Sequence, residues 1–239
     1  MAADLGAVYV KAPAVPRGVT WGDVIEIAGT YVVLALVAWV ALPLSSRGTG
    51  RTGDSAPSFS SLLLFAAAVT YALGRGMHAA GNSIHDMMSR TGMQDPWRLA
   101  YFWDECAGHV PVDVGRILFV TGLCLMERER GREDRGARNG MRPAGARGAG
   151  RLFSIVGAVA YGFIYFATSV EGQTVFLALP FSAALAIWGL LARRKSSTGG
   201  SGDPVRVFFT TSALISVLLF LVYGVWQRGF PEFTRAGIL

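Results

Sequence analysis

The chain has 239 residues, of which 52% are hydrophobic and only 16% charged, and its formal net charge is +6. An ordinary soluble domain is excluded by this composition, because such domains carry about 25% charged residues. A mean hydropathy of +0.41 instead favours residence in a membrane.

Apolar runs long enough to cross a bilayer recur along the whole chain. They lie at 24–44, 59–85, 107–126, 152–170, 174–192 and 206–226, and crossing the hydrocarbon core takes about 20 helical residues. We therefore predict an all-α integral membrane protein: a single polytopic domain over residues 1–239, built as a bundle of about six transmembrane helices. The third run must extend through Asp113 and Arg116 to reach the other face, and Pro111 is a candidate break within it.

The segment between the third and fourth runs, residues 127–151, has no apolar period. It is rich in Gly, Ala and Arg, a composition typical of a flexible loop. Its charge suits anionic lipid headgroups on the cytoplasmic side. Because membrane topology already explains this charge, we predict no nucleic-acid partner.

Lys and Arg in the short loops predict the orientation of the spans. Fourteen of them lie on the side that includes 127–151, and six lie on the side that includes both chain ends. Since cytoplasmic loops carry the excess of basic residues, both termini are predicted to be extracytoplasmic. The protein is thus expected in the cell membrane as a multi-pass protein.

Polar groups recur at one height in the predicted bundle. At 1.5 Å per residue, His78, His109 and Glu26 each lie roughly 27 Å from the cytoplasmic end of their spans, and Glu171 lies at about 30 Å. Three imidazoles belong to the chain, and all of them, including His85, fall towards the outer side. These heights predict a polar layer near the extracytoplasmic face.

The helical period places many of these groups on shared faces. On the second span, a polar stripe is formed by Tyr71, Arg75, His78, Asn82 and His85. On the third span, a similar stripe is formed by Glu105, His109 and Arg116, with Asp113 at its margin. Ionisable groups in membrane helices usually face the bundle interior or a wet cavity and mark function.

Three histidines near carboxylates are typical of a zinc site, because neutral imidazole and carboxylate oxygen both bind this ion. We predict His78, His85 and His109 as metal ligands, for zinc or another divalent transition metal. His78 and His85 reach one ion only if the helix bends near Gly81; in a straight helix, His78 and His109 form the central pair.

The remaining polar groups are predicted to act on a substrate. The candidate catalytic acids and bases are Glu105, Asp86, Asp104, Glu171 and Glu26. The candidate substrate-binding residues are Asn82, Arg75, Arg116, Tyr165 and Tyr223. A bound metal ion lowers the pKa of its water while a carboxylate accepts the proton, so we expect a zinc-dependent hydrolase. Its substrate would be a lipid-like or isoprenoid-like molecule that enters an outward-facing intramembrane pocket.

The set of His78, His85 and His109 with nearby carboxylates resembles membrane hydrolases that include alkaline ceramidases and adiponectin-receptor-like proteins. The resemblance implies a helical bundle that binds zinc through three histidines and acts on lipid amides. That family has seven spans and a late His-x-x-x-His pair, whereas the last two predicted spans here contain no histidine. Asn82-x-x-x-Asp86 with Asp104 and Glu105 also resembles the magnesium-diphosphate motifs of membrane prenyltransferases, although the order of spans differs.

Other interpretations of the polar layer remain open. The groups could form a hydrogen-bonded network in which Asp113, Glu26 or Glu105 neutralises the two intramembrane arginines. A metal-free terpene or isoprenoid cyclase would use a carboxyl group such as that of Glu26, Asp104 or Glu171 as its acid. A proton or metal carrier would need a polar path to the cytoplasm, which the run LLLFAAAV in the second span does not offer. A non-catalytic membrane subunit would use the layer to meet a partner.

Overall fold

The computed structural model of the chain describes residues 25, 28–32, 34–35, 58–89, 94–136, 147–195, 204–233 and 235–238. Residues 25, 28–32 and 34–35 are helical, and from Phe59 on the described residues form six α-helices and one π-helical segment. They are α1 (Phe59–Ser89), α2 (Gln94–Tyr101), the π-helical segment (Phe102–Gly108), α3 (His109–Gly136), α4 (Arg147–Glu171), α5 (Val175–Lys195) and α6 (Pro204–Gln227). The described residues contain no strand, so the predicted all-α class is confirmed.

Five helical stretches are long and apolar enough to cross a membrane. They are Phe59–His85, Gln94–Glu129, Ser154–Glu171, Val175–Ala192 and Val205–Gln227. These stretches correspond to the second to sixth predicted spans, and by length and composition each could cross a membrane. Most of the first predicted span, residues 24–44, lies outside the described residues, and so does Glu26.

The second of these stretches begins earlier than the predicted third span. Its helix starts at Gln94, with Asp95 in the first turn, where a carboxylate interacts favourably with the helix dipole. It passes through the π-helical segment and becomes α-helical again at His109. Pro111 does not interrupt the helix; it lies three residues after the π-helical segment ends at Gly108, in the first turn of α3, where a missing amide hydrogen is tolerated.

Part of the predicted loop 127–151 is helical. The α3 helix continues to Gly136 and α4 begins at Arg147, while residues 137–146 lie outside the described part. The sequence ERERGREDR alternates acids and bases, and opposite charges three or four residues apart stabilise a helix. Absence of an apolar period therefore did not exclude helix here.

The chain divides into two compact units, Met1–Gly122 and Leu123–Leu239. The first unit holds α1, α2, the π-helical segment and the first half of α3. Polar side chains are buried among the apolar ones in this unit, notably Arg75, Asp104, Asp113 and Arg116. The unit therefore contains most of the predicted polar layer.

The second unit packs α4, α5 and α6 around an aromatic core. Its buried residues are Tyr165, Phe166, Val170, Val175, Ala178, Phe220 and Tyr223. The α6 helix ends where Arg228 adopts a positive φ of 55° and the Gly229 amide donates to the Gly224 carbonyl oxygen at 3.0 Å. This Schellman-type end reverses the chain, so that the C-terminal segment (residues 228–233 and 235–238) packs Phe230 and Phe233 against the core.

Candidate functional site

The first unit joins His78 of α1 to Asp104 of the π-helical segment. The His78 Nδ1 atom lies 2.6 Å from Asp104 Oδ1, and the carboxylate is only 2% exposed. The Nδ1 atom also lies 3.3 Å from the main-chain carbonyl oxygen of Asp104 in hydrogen-bonding geometry, whereas Oδ1 has no hydrogen-bond partner among the described residues. An Nδ1–H that donates to this carbonyl oxygen leaves Nε2 as the nitrogen with a lone pair. The His78 ring is therefore held in an orientation that suits a metal ligand or a general base.

His109, the first residue of α3, lies against the same imidazole. The centroids of the His78 and His109 rings are 4.4 Å apart, with the planes tilted by 53°. This contact agrees with the equal heights expected from the sequence. Glu105 lies one helical turn before His109, and its Oε2 is 3.7 Å from His109 Nε2, a separation too long for a hydrogen bond.

Two glycines allow the helices to approach closely enough for these contacts. A β-carbon added at Gly108 would lie 2.9 Å from the backbone nitrogen of His78, and one at Gly81 would lie 2.7 Å from the backbone nitrogen of Asp104. Both neighbours are backbone atoms, which cannot rotate away. Small residues serve close packing of membrane helices in general, and here they set the spacing between His78 and its partners.

The π-helical segment presents both carboxylates of the site. Asp104 and Glu105 lie in it, and His109 follows directly after it. The wider turns change the rotation per residue relative to an α-helix, so the α-helical period does not give the directions of these side chains. Long π-helical stretches are rare and occur frequently at functional sites.

A buried ion pair lies further along the same helix. Arg116 Nη1 donates to Asp113 Oδ1 at 2.9 Å, with the two side chains 8% and 2% exposed. Arg75 of α1 is also buried, and the charges of both arginines act on His109. Asp113 thus neutralises one of the two arginines, as the hydrogen-bonded network interpretation expects.

His85 lies apart from the His78–His109 pair. Its ring packs against Trp97 and Tyr101 of α2, at centroid distances of 5.1 and 5.7 Å. The α1 helix runs without interruption through Gly81, so His78 and His85 stay about 10 Å apart along the axis, at 1.5 Å per residue. The bend that would bring all three histidines together is not present.

The predicted ligand set is accordingly not assembled as one cluster. Among the residues whose side chains the structure describes, no group of three or more His, Cys, Asp or Glu residues is placed to hold a metal ion. The side chain of Asp86 lies outside the described part, as does the whole of Glu26. Asn82 is half-buried in α1 and lies on the same face as His78.

The predicted site residues of the second unit hold the C-terminal segment. Glu171 Oε2 accepts a hydrogen bond from the Phe233 amide at 2.9 Å, and the Tyr223 hydroxyl donates to the Pro231 carbonyl oxygen at 2.7 Å. Tyr165 is buried in the core and stacks on Tyr161. These contacts give Glu171 and Tyr223 a structural role.

Sequence reasoning did not identify Gly108 or pair His78 with Asp104. A signal for Gly108 was present, because this glycine directly precedes a histidine whose expected height equals that of His78. No comparable signal existed for Asp104, since its direction depends on the π-helical turns.

The described residues thus form an all-α arrangement with five helical stretches that could cross a membrane, and in it His78 of α1 lies against His109 and Asp104. No protein-family model, curated protein or solved structure matches the chain.

Proposed function

We propose that this protein is an integral-membrane metalloenzyme, a zinc-dependent hydrolase that acts on a lipid-like or other hydrophobic substrate. The observation that supports the proposal best is the 2.6 Å contact between Asp104 and Nδ1 of His78. Histidines that bind metals usually donate their second ring N–H to a carboxylate, a backbone carbonyl or a water, which fixes the tautomer and increases the basicity of the ligand. The Asp104 main-chain carbonyl oxygen, 3.3 Å from His78 Nδ1, is such an acceptor.

In this proposal His78 and His109 supply the two central ligands. Nε2 of His78 lies on the other side of the ring from Nδ1, the atom in contact with Asp104. The ring contact with His109 brings a second imidazole next to His78. Catalytic zinc sites use three protein ligands and keep a further position for water. The third ligand is proposed to be a carboxylate near the pair, Glu26 keeps its proposed catalytic role, and His85 is assigned to the entrance.

The chemistry follows from these assignments. Zinc supplies a water of lowered pKa and polarises a carbonyl group. Glu105, 3.7 Å from the His109 ring, accepts the proton of that water and returns it to the leaving group. Asp104 keeps the His78 ring in its orientation throughout.

The proposed topology has six spans, with both termini and the site on the extracytoplasmic side of the cell membrane. It is supported by the fourteen basic residues in the loops of one side against six on the other. Labelling of single cysteines placed near either terminus with a membrane-impermeant maleimide on intact cells tests it. Labelling only after the cells are permeabilised would contradict this topology and indicate that both termini are cytoplasmic.

Hydrolysis by the full chain in nanodiscs tests the function. The substrates are a panel of lipid esters and amides, and the variants are His78→Ala, His109→Ala and, as the matched control, His85→Ala. We expect a strong chelator to abolish the activity and zinc to restore it. His78→Ala and His109→Ala should lose the activity, and His85→Ala should keep it. Activity that is unchanged by the chelator and by both His78→Ala and His109→Ala would refute the proposal.

A metal-free acid catalyst is the second candidate, favoured by the burial of Asp104 at 2% exposure. A terpene or isoprenoid cyclase would use a buried carboxyl group of this kind as its acid. Activity that survives chelation but is lost in Asp104→Asn would select this candidate. A carrier remains less favoured, because LLLFAAAV in the inner half of α1 offers no polar path.

A further inference from the structure

A wholly apolar pocket lies between α1 and α2 in the first unit. Its volume is about 540 Å³, within the range of pockets that bind small ligands. Ala80, Gly81 and Ala100 are the small residues that line it, and Ile84, Leu99 and Trp103 are the large ones. The small residues leave the space between the large ones unfilled, and this space is the pocket.

The lining has no polar side chain to bind a headgroup or water. The remaining two residues, Met77 and Pro96, are also apolar. An apolar cavity of this kind gains most from burying hydrocarbon, at about 25 cal/mol per Å² of apolar surface. The chemistry therefore selects an alkyl chain.

The pocket is formed entirely by helices of the membrane-spanning set. Its α1 residues lie within Phe59–His85 and its α2 residues and Trp103 within Gln94–Glu129. Ile84, Leu99 and Trp103 are each about half exposed, so the pocket opens on the protein surface. In the proposed topology, an acyl chain would enter it sideways from the bilayer.

The pocket adjoins the His78–Asp104 pair. Gly81 lines the pocket and also meets the backbone of Asp104, since a β-carbon on Gly81 would lie 2.7 Å from the Asp104 nitrogen. Trp103, next to Asp104 in sequence, lies on the opposite wall. A chain in the pocket thus lies one residue away from the paired carboxylate.

We propose that this pocket binds one acyl chain of a bilayer lipid and holds that lipid beside the His78–Asp104 pair. Binding of the acyl chain is inferred from the pocket alone, whereas identifying the lipid as the substrate rests on the proposed hydrolase function. The substrate class is then a membrane lipid with an acyl chain.

Photo-crosslinking of the full chain tests chain binding without any need for activity. The protein is placed in phosphatidylcholine nanodiscs that contain a phosphatidylcholine with a diazirine in one acyl chain, and the labelled residues are mapped by mass spectrometry. We expect labels to concentrate on Met77, Leu99 and Trp103. Even labelling of exposed side chains elsewhere on α1, such as Phe65 and Val69, would overturn the proposal, and so would cross-links between two protein chains through the pocket.

Two variants fill the pocket from opposite walls, and one serves as a control. Ala80→Phe and Leu99→Trp should lower labelling of the pocket several-fold, whereas Ala66→Phe, at an exposed alanine of α1 outside the pocket, should leave it unchanged. Leu99 is 60% exposed, so its replacement keeps the test valid if Ala80→Phe does not fold. Unchanged labelling in a folded filling variant would overturn the proposal.

The same experiment separates chain binding from the proposed function. In His78→Ala, labelling of the pocket should persist. If it persists and the wild-type protein binds no metal, the hydrolase proposal fails and the lipid pocket stands. If wild-type labelling is not focused on the pocket although zinc is bound, the pocket proposal alone fails.

Discussion

Replacing Gly108 by alanine should separate the helices that carry the two imidazoles. The added β-carbon would lie 2.9 Å from the nitrogen, α-carbon and β-carbon of His78, a distance that real β-carbons essentially never show. Because two of these three atoms belong to the backbone, the strain can be relieved only by moving α1 away. Gly76→Ala is the matched control, since a β-carbon there meets nothing within 4 Å.

The two substitutions should change stability in opposite directions. Overpacking of a close contact costs about 1–3 kcal/mol, whereas glycine in the middle of a helix is about 0.5–1 kcal/mol less favourable than alanine. Subtracting the second range from the first, Gly108→Ala should destabilise the protein by about 0–2.5 kcal/mol, and by roughly 1 kcal/mol at mid-range. Gly76→Ala should stabilise it by about 0.5–1 kcal/mol.

Unfolding in mixed micelles with increasing sodium dodecyl sulfate, followed by far-UV circular dichroism, measures both changes. A second assay reports on the site itself, because moving α1 should weaken metal binding by His78 in Gly108→Ala and not in Gly76→Ala. Equal stabilities for the two variants would refute the reasoning, since the close approach of α1 to Gly108 would then carry no energetic weight.

Three further outcomes follow from the contacts described above. Asp113→Leu should destabilise the protein by about 3–5 kcal/mol by removing the carboxylate that neutralises the buried Arg116, and adding Arg116→Leu should recover part of that loss in the same unfolding assay. Tyr223→Phe should cost about 1 kcal/mol, and both it and Glu171→Ala should accelerate amide exchange in the C-terminal segment; unchanged exchange would contradict the structural role. Asp104→Asn should weaken zinc binding by about 10–100-fold in a competition titration with a chromogenic chelator, and unaltered affinity would contradict its positioning role.

Much of the architecture could be predicted because hydropathy depends on composition over whole spans. Five spans were located within a few residues, apart from the early start of the third at Gln94. The contact between His78 and His109 was also accessible, since rise per residue is nearly constant in straight helices. The position of a residue along its helix axis can thus be predicted from the sequence.

The direction in which a side chain points around the helix axis was harder to predict. The π-helical segment changes the angle per residue before His109, so the direction of Asp104 could not be obtained from the α-helical period. His85 was assigned to the metal because it shares a stripe with His78, but Trp97 and Tyr101 offer it an aromatic surface closer to its own height. Glu171 was predicted as a catalytic residue from its height, and Tyr223 as a substrate-binding residue. Their hydrogen bonds to the C-terminal segment could not be predicted, because the return of that segment leaves no periodic signal.

Metal content of the purified full chain tests the central claim most directly. The protein is extracted in mild detergent without chelators, supplied with zinc, freed of unbound ions and analysed by inductively coupled plasma mass spectrometry, beside His78→Ala and His85→Ala. The account predicts stoichiometric zinc in the wild-type protein and in His85→Ala, and its loss in His78→Ala. Wild-type protein that retains no transition metal, or zinc that is equally retained in His78→Ala, would contradict it.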